Sequence, residues 1–403
     1  MHVELHPRFA QSAEGQAAKA LTAACVHCGF CLATCPTYLD KRDERDSPRG
    51  RIYLIKHLLE SGEATAQTQL HLDRCLTCRN CETTCPSGMQ YGELLDIGRG
   101  LMEVEVPRTA SARGLRRLLR FGLTRPRLLA PALSLGQWLR PLLPGPLRKK
   151  IPPRQARTPV PGRQHARRML VLEGCVQSAA TPNTNDAARR VLDRLGISLV
   201  SAPRAACCGA VNYHLAAHAD GLDDMRRNID AWWPYIESGV EALVSSASGC
   251  GAMLVDYARL LADDPAYAAK ARRVSALTRD LAQILEQEDL RSLEINTDIG
   301  KVAVHPPCTL QHALQQPTLL HTVLQRAGFE LAASTGKLLC CGSAGTYSIL
   351  QPAASERLRE TMLDTLTTDQ PALIVTANIG CQLHLQAASG VPVVHWIELL
   401  DNP

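Results

Sequence analysis

Hydrophobic positions change period along this chain. Near the N-terminus Ile52, Ile55 and Leu59 fall three and four apart, which lines apolar side chains along one helical face. Ser47 can cap that helix, Pro48 suits its first position and Gly62 can end it. Further on, Leu115, Leu118, Leu119, Leu123, Leu128 and Leu129 alternate with Arg113, Arg116, Arg117, Arg120, Arg125 and Arg127. Trp138, Leu142 and Leu143 follow, then Arg148, Lys149 and Lys150. This predicts a basic amphipathic helix, cut into short pieces by Pro126, Pro131, Pro141, Pro144 and Pro146. Beyond residue 168 short β-rich runs take over, at 169–173, 197–200, 242–246, 302–305, 373–377 and 392–395. Helical stretches separate them, the pattern of α/β units around a largely parallel sheet.

The C-terminal 235 residues repeat themselves. Met169–Leu172 leads to Cys175, thirty-one residues precede Cys207-Cys208-Gly209, and forty-one separate Cys208 from Cys250. Val302–Val304 leads to Cys308, again thirty-one residues precede Cys340-Cys341-Gly342, and thirty-nine separate Cys341 from Cys381. The expected fold is α+β overall: a mainly helical N-terminal module over 1–100, a basic linker over 101–168, and two similar α/β lobes over 169–300 and 301–403, facing each other. Each cysteine group falls at the end of a strand or in the loop after it, where open α/β folds bind ligands.

Charge sharpens the division. The net charge of +5 hides a segment, Arg99 to Arg168, with seventeen Lys/Arg and only Glu103 and Glu105 against them. It carries +15 and leaves −10 on the rest. Segment 113–150 is therefore a docking surface for a membrane or a partner, or a solvated linker. It has no aromatic platform or reader motif for nucleic acid. No run of about eighteen apolar residues exists to span a bilayer. Met1–Ala24 has no apolar signal core, so the sixteen cysteines read as thiolates kept reduced in the cytoplasm.

The chemistry lies in those cysteines. Cys25, Cys28, Cys31, Cys35 and Pro36 recur at identical spacing as Cys75, Cys78, Cys81, Cys85 and Pro86. This is the spacing for a four-iron, four-sulfur cluster, in which the fourth cysteine ligates the other cluster of a two-cluster protein. The expected sets are Cys25, Cys28, Cys31 and Cys85 for one cluster, and Cys75, Cys78, Cys81 and Cys35 for the second. Zinc can bind paired CxxC, but has no need of four cysteines and a proline repeated in register. Arg49, Arg51 and Lys56 share the intervening helix, either as cations favouring reduced clusters or as a solvated face.

The second group comprises Cys175, Cys207, Cys208 and Cys250, then Cys308, Cys340, Cys341 and Cys381. Adjacent cysteines diverge along an extended backbone, so each pair can offer thiolates to two irons of one cluster. Gly209 and Gly342 would let the chain turn tightly beside them. Independent core cysteines would have no reason to recur at matching intervals. No Gly-x-Gly-x-x-Gly follows a strand, and no Ser/His/Asp or paired-carboxylate constellation stands out.

The duplicated Cys-Cys-Gly pattern resembles the cysteine-rich domain of the heterodisulfide reductase family. Joined to a two-cluster ferredoxin module, with Ser47–Tyr53 between the clusters and Cys85-Pro86-Ser87-Gly88, it resembles the iron–sulfur subunits of glycolate oxidases. That resemblance implies two four-iron clusters, with one or two further clusters at the repeated cysteines. It implies FAD on partner subunits, glycolate or D-lactate as the substrate oxidised there, membrane quinone as acceptor, and a peripheral place on the inner face of the cell membrane. The iron–sulfur subunit of anaerobic glycerol-3-phosphate dehydrogenase shares both modules, and a non-catalytic cluster-based carrier or sensor is the reading from another class. One departure is visible. Where heterodisulfide reductases continue CxxC, this chain reads Cys250-Gly251-Ala252-Met253 and Cys381-Gln382-Leu383-His384. His384 and His305 are read as ordinary histidines before they are read as ligands.

Overall fold

The computed structural model describes residues 1–145, 148, 151–155, 158–334, 336 and 338–401; Pro146, Lys149 and Lys150 lie outside them. The N-terminal third is helical. The Pro48–Ser61 helix starts where Ser47 accepts the Gly50 N–H, and ends at Gly62 with φ 73°. Ile55, Leu58 and Leu59 are at most 1% exposed and pack with Leu72, Tyr91, Leu94 and Leu95. Burying each such side chain contributes about 1.5–3 kcal/mol. The Tyr91–Glu105 helix closes this core from the other side and runs on towards the basic segment.

The basic segment folds into two helices, Ala110–Leu123 and Pro126–Leu139. Pro126 sits in the first turn of the second, as expected of a helix start. Pro131 does not cut that helix as its sequence suggested; it lies inside, where its missing N–H costs one backbone bond without ending the turn.

Among the described residues, seven strands form two parallel sheets. The first has the order β2-β1-β3-β4, with β1 Arg167–Leu172, β2 Ile197–Ser201, β3 Leu243–Ser245 and β4 Thr278–Asp280. The second has the order β5-β6-β7, with β5 Val302–His305, β6 Leu373–Thr376 and β7 Val393–His395. Side chains alternate between sheet faces. Met169, Val171, Val244, Val302, Val304 and Val375 meet in one core shared by both sheets. Leu170, Leu172 and Leu243 face a separate layer with Trp232 and Tyr257, whereas Ala303 and Ile374 face one with Met362 and Leu385.

Salt bridges fix the helical module to both halves. Arg79 pairs with Asp256, His214 with Asp96 at 3.0 Å, and Arg357 with Asp40 at 2.7 Å.

Candidate cluster sites

All sixteen cysteines are free thiols. The two N-terminal loops share one backbone device. In the first, His27 and Gly29 have φ of 59° and 85°; in the second, Thr77 and Arg79 have φ of 55° and 57°. These left-handed residues flank the middle cysteine and curl each loop so that its three thiols face inward. Only glycine adopts that conformation without penalty. Arg79, in the place of Gly29, is held by its pair with Asp256.

Two cavities result. One is lined by Cys25, Cys28, Cys31 and Cys85, with Cys81 in its wall. The other is lined by Cys35, Cys75, Cys78 and Cys81. Each loop thus meets the fourth cysteine of the other loop. Tyr91, Pro48 and Cys81 border both cavities.

The walls suit iron–sulfur groups. The buried Tyr91 hydroxyl has no oxygen or nitrogen partner among the described residues and faces Cys75, so an inorganic or cysteinyl sulfur could accept a hydrogen bond from it. Burial pushes the Cys31 thiol up to about 11, and it also raises Cys78 and Cys81. Metal binding would release those protons. Burial would also raise Cys85, but the Ser87 hydroxyl and the Met89, Ser87 and Gly88 N–H groups outweigh it and hold the thiol low. A hydroxyl residue stands two positions after each fourth cysteine: Thr37 lies 3.3 Å from Cys35, and Ser87 lies 3.3 Å from Cys85. That repeat was readable in the sequence and went unused.

The three helix cations separate. Arg51 is fully buried beside the Cys35 cavity, donating to the His71 carbonyl at 2.7 Å, to Thr37 at 3.1 Å and to Asp46 at 3.4 Å. Arg49 borders the Cys25 cavity and pairs with Glu44. Lys56 borders neither cavity and pairs with Glu60.

Each C-terminal half gathers its own four cysteines. In the first, the Cys175 and Cys207 sulfurs are 3.5 Å apart; in the second, the Cys308 and Cys340 sulfurs are 4.0 Å apart. Hydrogen bonds from the Cys175 and Cys208 thiols hold Cys207 well below the usual thiol range, and Gly209 N–H adds to them against burial. Cys308, Cys341 and Gly342 do the same for Cys340. Gly209 and Gly342 have φ of 91° and 86°, and an added Cβ would meet the Gly221 carbonyl at 2.8 Å or the Ser355 carbonyl at 2.5 Å. No other residue fits there.

Two contacts link these gatherings to the rest. Cys78 shares a buried cluster with Cys340 and borders Cys308. Asn378 accepts the Gly249 N–H at 3.3 Å and donates to the Cys381 sulfur at 3.5 Å, which joins the neighbour of Cys250 to the second quartet. Neither was visible from spacing. His384 is not among the thiols: its Nε2 lies 3.1 Å from the Ser355 hydroxyl, which donates to the Gly342 carbonyl at 2.7 Å. It braces the Cys-Cys-Gly turn. His305, by contrast, lies beside Cys341 and Cys381. Its pKa is driven down to about 4 by burial, so the ring is neutral.

Comparison with known proteins agrees with this division. Residues 24–90 match the 4Fe-4S dicluster domain family, and residues 169–255 and 302–386 each match the family described as a cysteine-rich domain. The glycolate oxidase iron-sulfur subunit of Escherichia coli K12 is 51% identical over 403 residues, covering 100% of this chain and 99% of that protein. A probable glycolate oxidase iron-sulfur subunit of Bacillus subtilis 168 is 29% identical, covering 93% and 92%. Lactate utilization protein A of Shouchella clausii is 27% identical, covering 52% of this chain and 87% of that protein.

Proposed function

The chain belongs to the family of glycolate oxidase iron–sulfur subunits, and from that membership we propose that it carries electrons from a flavin-bearing partner, where glycolate is oxidised, towards membrane quinone. Cys25, Cys28, Cys31 and Cys85 would hold one four-iron cluster, and Cys35, Cys75, Cys78 and Cys81 the other. The two C-terminal quartets would hold further iron–sulfur groups. Bound there, such groups supply reversible one-electron chemistry; the chain decides their order and their exposure.

The observation that carries the reading is a succession of sulfur sets joined by packing and hydrogen-bond contacts. The two N-terminal sets share a wall at Cys81 and Tyr91. Cys78 borders the second quartet. Asn378 spans from that quartet to the first. Cys250 of the first quartet and Leu133 of the basic hairpin both pack against Ala180, Ala247 and Ile379.

Two exposed faces differ as donor and acceptor sides should. On one face Cys28 is exposed, and Val26, Phe30 and Tyr53 are 65%, 61% and 55% exposed. Aromatic side chains standing out beside a redox site are what a protein partner can bury. This is the docking face for the flavoprotein. On another face the hairpin presents Leu118, Phe121, Leu128, Leu135 and Trp138 outward, together with exposed Arg113, Arg117, Arg125 and Arg127. Apolar and cationic side chains without acids suit an anionic lipid surface. No helix among the described residues is long and apolar enough to cross a membrane, so contact of this kind would be peripheral.

Phe30→Glu tests the docking face. The variant should keep its iron yet bind the flavoprotein about thirtyfold more weakly, the loss of one aromatic anchor worth about 2 kcal/mol. Unchanged co-purification and unchanged affinity would move the flavoprotein elsewhere.

A further inference from the structure

The two C-terminal halves repeat each other, but not at one buried position. Three residues before Cys175, β1 ends in Leu172; three residues before Cys308, β5 ends in His305. Leu172 packs against Cys208 and the apolar layer of its own half. His305 is 1% exposed. Its Nδ1 lies 2.9 Å from the Thr376 hydroxyl, and its Nε2 has no hydrogen-bond partner among the described residues. A ring nitrogen of His305 and the sulfurs of Cys341 and Cys381 all lie within 4.8 Å of one another.

A buried imidazole nitrogen left unsatisfied costs about 1–3 kcal/mol. Nothing in the packing requires a polar ring there, since the other half fills the same place with leucine. The partner of the ring has diverged with it. Thr376 stands five residues before Cys381; five before Cys250 stands Ser245, whose hydroxyl donates to the Ala247 carbonyl instead. A hydrogen bond at one ring nitrogen, which leaves the other free, is how proteins orient a histidine that ligates a metal.

We propose that His305 is a fifth protein ligand of the second C-terminal site, bound through Nε2, so that this half holds its iron–sulfur group with Cys308, Cys340, Cys341, Cys381 and His305 while the first half uses cysteines alone. The proposal rests on the reading that the quartets hold iron. It gives the duplicated halves different electronic roles. A neutral imidazole fills a fifth position without the negative charge that a fifth cysteinate would bring, and histidine in place of cysteine raises a cluster's reduction potential. The site so modified is the one that borders Cys78 of the N-terminal module. It would draw electrons out of that module more strongly than the same site with a fifth cysteine could.

The test uses the anaerobically purified complex, with and without ¹⁵N-labelled histidine, reduced and examined by pulsed electron paramagnetic resonance. The expected result is a strongly coupled histidine nitrogen that changes with the label, survives His384→Ala and disappears in His305→Leu, the residue of the other half. His305→Cys should keep the iron and lower the midpoint of one centre. Iron well above roughly eight per chain, the load of two four-iron clusters, with no labelled nitrogen coupled in the unaltered protein would overturn the role of His305 and leave the quartets as iron sites. Iron at roughly eight with no other metal would overturn both. The label experiment needs no variant to fold.

Discussion

Arg51 sits on a helix whose sequence reads as half polar, yet none of its side chain reaches solvent. Its charge is held by Asp46, which also takes His71 at 2.9 Å and Arg74 at 3.2 Å. A cation locked beside the Cys35 cavity, in a medium that screens poorly, favours the more negative state of whatever the thiols hold. Arg51→Gln should therefore lower the midpoint potential of the adjacent cluster by on the order of 59 mV, a tenfold change in a one-electron equilibrium. It should also cost about 3 kcal/mol, the lower end for breaking a buried pair, because His71 and Arg74 remain on Asp46. Redox titration would check the first figure, and an unmoved midpoint would make the residue purely structural. The sequence could place Arg49, Arg51 and Lys56 on one helix but could not rank them. The ranking depends on Asp46, His71 and Thr37, which come from other turns of the chain. His305 and His384 teach the same lesson. Both looked ordinary in sequence; burial and an unsatisfied nitrogen separate them.

Among the elements, the legible ones were those with a local cause. The Ser47 cap, Pro48 and Gly62 bound their helix as read, because a cap needs only its own first turn. Six strands were foreseen from apolar runs. The seventh, Thr278–Asp280, was not: three residues alternating buried and exposed carry too little pattern, and its pairing with β3 defines it. The basic hairpin was half legible. Its composition pointed to a surface, but Arg108 and Arg116 are spent on Asp73, and Arg120 on Asp220 and Asn212. These pairs fasten the hairpin and leave Leu118, Leu128, Leu135 and Arg113, Arg117, Arg125 and Arg127 outward. Leu118→Glu combined with Trp138→Glu should cut binding to anionic vesicles at least about tenfold, each lost apolar anchor exceeding the 1.4 kcal/mol that a factor of ten requires. Iron content should stay unchanged. Equal vesicle binding by the double variant would return the hairpin to the role of a linker.

At the scale of the whole molecule, what matters is adjacency. The cysteine motifs announced four groups of sulfur but not their order, because each motif reports only its own loop. The order comes from long-range packing: Arg79 on Asp256, Arg357 on Asp40, Cys78 against Cys340, Asn378 between the halves. With it, a chain that lacks a dinucleotide fingerprint fits the proposed role of a conductor between a flavin-bearing partner and an acceptor. The most direct measurement is to purify the complex anaerobically through this chain and add glycolate while following cluster absorbance, with glycerol 3-phosphate as the comparison. Bleaching by glycolate, with a flavoprotein in the preparation, is the predicted result. Clusters that dithionite reduces but glycolate leaves untouched, with the flavoprotein bound, would contradict the account.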